Sequence, residues 1–259
     1  DMPTARRARD GGPGIVGMSS EAPVTPDWFR KVFGFVERDA YEENRRMFTL
    51  EDQGGTLVCP AGRMTIGPFE VASLGALSAR LKAAEPPAAL GRLHFANVAG
   101  DARALHLAHP GAVFQAASQF NCLEMVSPAV RPEDGLTRYV HDRTQGPACA
   151  LACPGALAFR NYLVGGHGQG GNGRQLDLLA GAGELLGNGP GPAGPLWEMS
   201  NGYCLPRPGG MARAAQRLRE EEGLGKRVRD SVQVGVHWHT AVHGAGHAVT
   251  QVYGAALPI

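Results

Sequence analysis

The sequence predicts a layered α/β domain with a mixed sheet, and three observations predict it. Segments with the helical period of apolar residues are interleaved with strand-like segments from about residue 25 to residue 253. The C-terminal part alternates, with Val232, Val234, Val236 and Trp238 on one face and Gln233, His237 and His239 on the other. No internal repeat interrupts this order, and an apolar share of 43% supplies a full core for 259 residues.

In chain order, residues 1–24 are rich in Gly, Arg and Pro with little apolar content, and they predict a disordered arm ahead of one domain over 25–259. Thr25, Pro26 and Asp27 supply an N-cap, a first-turn proline and a first-turn acid. Phe29, Val32, Phe33 and Val36 then form one helix face. Residues 47–51 and 56–59 flank Asp52-Gln53-Gly54-Gly55 as a hairpin, with a further strand over 63–66. Val71, Leu74, Leu77 and Leu81 mark a second amphipathic helix, closed by Glu85-Pro86-Pro87.

Strands are expected over 93–98, 113–117 and 156–164, and residues 119–126 offer a helix that would place Asn121 and Glu124 on one face. The glycine-rich run 165–173 reads as a linker, since it lacks the Lys-Ser/Thr of a phosphate loop. A helix over 175–186, a strand over 196–199 with a turn at Asn201-Gly202, and a helix over 210–222 follow. That last helix should turn Met211, Ala214, Ala215 and Leu218 inward. Residues 249–253 pair back on the Val232–Trp238 alternation as a hairpin.

A formal net charge of +1, with scattered basic residues, argues against a nucleic-acid partner, because phosphate binding needs concentrated Lys and Arg. No apolar run approaches the ~18 residues of a membrane span. The Arg- and Gly-rich opening lacks the apolar centre of a secretory leader. Five cysteines, an odd number set mostly in apolar strings, favour buried thiols in an intracellular, cytoplasmic compartment.

Chemistry concentrates between residues 111 and 153. Gln115, Ser118, Asn121, Glu124, Asp134, Asp142, Thr144 and Gln145 are spread among small and apolar residues there. A buried amide or carboxylate without a partner costs roughly 1–3 kcal/mol, so such groups signal either a fold-fixing polar network or a ligand cleft. Gly146-Pro147-Ala148-Cys149-Ala150 carries little side-chain bulk, which permits close approach of a ligand or of another backbone. Each candidate has a plain structural alternative. Asp134 suits a helix cap, Asp142 an exposed pair with Arg143, Asn97 a turn, and Ser118 or Asn121 a cap.

The FAN of 95–97, the FQAASQFNCLEM of 114–125, and the aspartates of PEDGLTRYVHD before TQGPACA together resemble the macrodomain-type ADP-ribosylhydrolases. The similarity is to the bacterial-effector branch that removes ADP-ribose from ubiquitin, and it covers residues 93–164. The run of consecutive glycines that the superfamily carries beside its catalytic acid does not follow Asn97 in this chain. The resemblance implies a three-layer α/β/α macrodomain-like fold with a mixed central sheet. It implies ADP-ribose or an ADP-ribosylated protein as partner, with arginine-linked ubiquitin one such substrate, and it requires no cofactor or metal. Asp134 and Asp142 are then the catalytic pair, one activating water and one holding the ribose, and which is the base stays open. Glu124 is a third carboxylate candidate. Asn97, Gln115, Asn121, Gln145 and Gly146 are the ligand-binding candidates. The oxocarbenium-like transition state at an anomeric carbon gives such carboxylates their role.

Two rival readings remain. One is an ADP-ribose-binding module without hydrolysis. The other is a metal-dependent hydrolase using His237, His239, His243 and His247, although no acid or cysteine is placed beside them.

Overall fold

The computed structural model describes residues 27–84, 94–96, 100–142, 144–171 and 173–254. The N-terminal arm expected over 1–24 and the candidate Asn97 lie outside the described residues. The first helix, α1 (Trp28–Phe33), stops at Gly34, which takes the left-handed conformation at φ 80°. A Cβ on Gly34 would meet the Ala61 amide at 2.7 Å, so the stop is also a close backbone crossing. Val36 therefore falls beyond the helix and is exposed, whereas Phe29, Val32 and Phe33 are buried as their spacing predicts.

Helix α2 (Tyr41–Arg45) leads into the antiparallel sheet of β1 (Thr49–Glu51), β2 (Thr56–Cys59) and β3 (Gly62–Thr65). The expected hairpin is present. Phe29, Phe33, Phe48, Leu57 and Ile66 from this N-terminal region share one core with Leu123, Leu136, Leu157 and Tyr162.

The second expected helix divides in two. Val71 lies on β4 (Phe69–Ser73), and only α3 (Leu74–Ala83) is helical, with Ser73 Oγ accepting the Ala76 amide as N-cap. No residue of α3 is buried and Leu81 is exposed, so its apolar spacing marks no core face. The strand expected over 93–98 is not seen in its described part, since residues 94–96 belong to no strand.

The chain continues through α4 (Ala102–Ala108), β5 (Val113–Ala117) and 3-10 turns at Pro132–Asp134 and Thr137–His141. Then come α5 (Gln145–Ala152) and α6 (Pro154–Tyr162). The strand expected over 156–164 is this helix. Its residues are buried almost all round, so period gives no contrast, and Pro154 at the first turn favours the helical start. The glycine-rich run after it is no linker: Gln169 is fully buried, Gly168 lies against the Tyr41 hydroxyl and the Tyr162 carbonyl, and Gly170 against the Tyr41 ring.

Helix α7 (Ala180–Leu186) is shorter than the expected helix over 175–186, and it precedes the hairpin β6 (Trp197–Ser200) and β7 (Tyr203–Pro206). Helices α8 (Gly210–Glu220) and α9 (Leu224–Ser231) follow, then β8 (Gln233–Ala241) and β9 (Ala248–Gly254). On α8, Ala214 is buried, but Met211 and Leu218 are exposed rather than inward.

The four-stranded sheet runs β4-β8-β9-β5, with β5 parallel to β9 and the other pairs antiparallel. The protein is thus mixed α/β with an open, mixed sheet. Ala116 of β5 and Tyr253 of β9 pack with Cys149 of α5, and Val242 and Val249 pack with Ala152, Cys153 and Ala156. Leu186, Leu196, Trp197, Ala214 and Leu224 form a separate small core joining α7, β6, α8 and α9. Among the described residues no helix is long and apolar enough to cross a membrane.

The simple alternation expected along the last hairpin breaks at a register shift between His237 and Thr240, where His239 takes φ 53°. His237 is consequently buried while His239 is exposed.

Candidate functional site

The carboxyl end of β5 organises the predicted residues. After Ala117 the chain forms a closed loop rather than the helix considered over 119–126. Gln119 closes it with both ends of its side chain: Nε2 donates to Met125 O at 2.8 Å, and Oε1 accepts the Met125 amide at 2.6 Å. Cys122, at φ 62°, makes the tight reversal inside the loop. Asn121 is fully buried, with Oδ1 accepting the Leu123 amide and Nδ2 donating to Gln175 Oε1 at 3.0 Å.

Glu124 leaves the loop inward, into a buried polar cluster. Its Oε1 receives Arg160 Nη2 at 2.9 Å, and its own amide donates to the Tyr139 hydroxyl at 3.2 Å. Arg160 is fully buried. Its Nε donates to Cys122 O at 2.7 Å, and its guanidinium lies 3.6 Å above the Tyr253 ring. Gln169 braces the same loop by donating to Asn121 O and Arg160 O, both at 2.9 Å. Burial pushes the Glu124 carboxyl up to about 7, against the pull of the Arg160 guanidinium beside it.

Helix α5 reaches this loop from the other side. The Gln145 carboxamide bridges β5, accepting the Ala117 amide and donating to Gln115 O, each at 2.8 Å. Gly146 then sits flush on the strand end. A Cβ there would overlap the Ala117 carbonyl oxygen and stand 3.2 Å from Glu124 Cγ. Asp142 is half-buried just ahead of this helix, and its Oδ1 accepts the Thr144 amide at 2.8 Å.

The Gln115 carbonyl therefore meets Gln145, Gly146 lies against Glu124, Asn121 belongs to the same loop as Glu124, and Asp142 stands at the start of α5. Asp134 has its own setting, on the turn Pro132–Asp134. Its Oδ2 accepts the Arg131 amide at 2.9 Å, and Arg131 and Arg138 approach at 3.1 and 3.5 Å. Burial works to raise its pKa, but the Arg131 amide and the two guanidiniums outweigh it and hold the carboxyl below its ordinary value.

The histidines of the rival metal reading are not brought together. His237 is enclosed by the rings of Phe69, Phe159 and Tyr253, while His239 is exposed beyond the bulge and His247 Nε2 lies 2.9 Å from His106 O. Burial drives the His237 pKa well below the ordinary histidine value, and Arg160 adds to it. Among the described residues no group of three or more His, Cys, Asp or Glu side chains stands together for a metal. Cys122, Cys149 and Cys153 are buried, and burial raises each thiol to about 12.

Sequence reasoning missed Arg160, Tyr139 and Gln169. A lone arginine inside an apolar run was the signal for the first, because a buried guanidinium needs a carboxylate and carbonyls around it. An open groove of about 550 Å³ lies elsewhere, between α7, α8 and residues 187–196, and none of the predicted site residues lines it. Comparison of the chain with protein-family models, with curated proteins and with solved structures gave no match.

Proposed function

We propose that the protein binds ADP-ribose at the carboxyl end of β5 and hydrolyses an ADP-ribosyl bond there, within a macrodomain-like three-layer α/β/α arrangement. One observation carries the reading. Of the predicted site residues, Gln115, Asn121 and Glu124 of one segment and Gln145 and Gly146 of another come together where the parallel strand β5 ends and α5 begins. The carboxyl ends of parallel strands are where open α/β sheets take ligands, and the backbone at a helix start suits a diphosphate. The likeness in sequence to ADP-ribosylhydrolases names the ligand.

Asp142 is the base in this reading. Glu124 is buried against Arg160, and Asp134 is engaged by Arg131 and Arg138, whereas Asp142 is only half-buried at the start of α5. Asp142 would take a proton from the water that attacks the anomeric carbon, and Asp134 would hold ribose hydroxyls. Glu124 acts as the counter-ion that fixes the loop. The partner is an ADP-ribosylated protein, arginine-linked ubiquitin among the candidates, and the unpaired thiols suit a reducing, cytoplasmic compartment.

Binding without hydrolysis is the second reading, and the engagement of Asp134 and Glu124 by arginines favours it. The test is release of ADP-ribose from an ADP-ribosylated protein. Asp142→Asn keeps the side chain's shape and removes its charge. It should lower turnover more than tenfold, about 1.4 kcal/mol of barrier, while the affinity for free ADP-ribose changes much less. A wild-type protein that binds ADP-ribose and releases none from arginine-, serine- or glutamate-linked substrates would establish the binding module instead.

A further inference from the structure

Strand β5 lies at the border of the four-stranded sheet, so among the described residues one of its edges has no neighbouring strand. Such an edge presents backbone N–H and C=O groups that need partners. Gln115 O and the Ala117 amide, which bracket Ala116, both bond the carboxamide of Gln145. That bracket is the pattern by which one residue of a parallel strand engages its neighbour: its N–H reaches the carbonyl before the facing residue, and its C=O the amide after it. The side chain of Gln145 therefore stands where the backbone of a fifth strand would stand. The same Nε2 lies 3.2 Å from Cys149 Sγ, one turn along α5, which holds the side chain against its own helix.

We propose that Gln145 is a positioning residue: its carboxamide substitutes for a strand at the edge of β5 and thereby fixes the start of α5 against the candidate site. The consequence for that site is geometric. Gly146, the next residue, can lie flush on the Ala117 carbonyl and the Glu124 side chain only while the first turn of α5 is held at this distance. Asp142 and Thr144, joined by a hydrogen bond at 2.8 Å, enter the helix from the same clamp. Gln145 is itself exposed, so its role is local and does not come from filling the core. The bearing on ligand binding rests on the function proposed above, but the clamp does not.

Gln145→Met keeps the length and removes both hydrogen bonds. Gln145→Glu keeps an acceptor for the Ala117 amide and sets a second carboxylate oxygen against Gln115 O. Amide hydrogen exchange, resolved by residue, reads the clamp directly. The Ala117 amide should exchange at least tenfold faster in Gln145→Met and less so in Gln145→Glu, while the Thr250 amide, bonded to Ala112 O at 2.9 Å, keeps its protection in both. Urea midpoints measured alongside should move little, because an exposed side chain is changed.

Calorimetric titration of ADP-ribose should then show at least fivefold weaker binding in both variants. Unchanged exchange at Ala117 in Gln145→Met would overturn the clamp. Faster exchange with unaltered ADP-ribose affinity would overturn the positioning role. A wild-type protein that fails to bind ADP-ribose contradicts the proposed function, and the exchange result still decides the clamp.

Discussion

Replacing Arg160 with methionine should be among the most damaging single changes outside the apolar core. The guanidinium is fully buried, donates to Cys122 O and Glu124, and lies over Tyr253. Methionine fills much of the space, so little of the cost comes from a cavity. The larger part is the Glu124 carboxylate left buried without its counter-ion, together with the lost donor to Cys122 O. Removing one partner of a buried pair costs about 3–5 kcal/mol. At roughly 2–4 °C per kcal/mol for a chain of this size, the melting temperature should fall by about 6–20 °C.

The compensating change is Glu124→Gln. The double variant Glu124→Gln/Arg160→Met removes both charges, so it should be more stable than Arg160→Met alone by about 1–3 kcal/mol. The single variant also acquires a pH signature. Glu124 already sits near 7 through burial, and loss of Arg160 raises it further. A carboxyl raised in the folded state costs stability where it must ionise, so Arg160→Met should recover stability relative to wild type as pH falls from above 8 to about 7, and run parallel to it below, where both proteins hold the carboxyl protonated. Urea unfolding followed by the fluorescence of buried Trp28 and Trp197 measures both effects. A loss below 1 kcal/mol in the single variant, or a double variant weaker than the single, would refute the reasoning.

His237 and Gly146 make two further expectations. His237 stays neutral in the fold, with Arg160 the charged group that faces it and Tyr253, Phe69 and Phe159 around it. Its folded pKa is depressed, so the stability it confers is present above its unfolded pKa, about 6.5, and is lost as pH falls below that value. His237→Leu should therefore gain on wild type by about 1.4 kcal/mol per pH unit below 6.5, and parallel curves from pH 7.5 to 5 would contradict this. Gly146→Ala places a methyl against the Ala117 carbonyl, which is backbone and cannot step aside. It should cost about 1–3 kcal/mol in urea unfolding and abolish ADP-ribose binding by calorimetry, and a variant as stable as wild type would show that α5 can back away.

What the sequence revealed depended on contrast between neighbouring residues. The last hairpin was legible because Val232, Val234 and Val236 alternate with Gln233 and Gly235, and the first because Gly54 and Gly55 punctuate two short strands. Helix α6 was not, since Ala156, Leu157, Ala158 and Tyr162 are buried on every side and leave no polar face to set the period. Leu81 misled in the opposite sense, with helical spacing but full exposure. The bulge that separates His237 from His239 depends on pairing with β9, which no local pattern encodes.

At the site, the stretch between 111 and 153 stood out by composition, and several of its polar residues do come together. The roles within it were hidden, because an amide in sequence carries no sign of its partner. Gln119 closes a loop, Gln145 an edge and Asn121 a turn, each through bonds that exist only once β5 and α5 are side by side.

The most direct test of the central claim is residue-resolved amide chemical-shift mapping during titration with ADP-ribose. ADP-ribose should cause saturable shifts in the amides of Ser118 to Glu124, of Asp134 and Asp142, and of Thr144, Gln145, Gly146 and Ala148, around the Gln145 clamp. Shifts confined instead to Leu186, Leu196 and Arg213 around the open groove, or none at millimolar ADP-ribose, would contradict it.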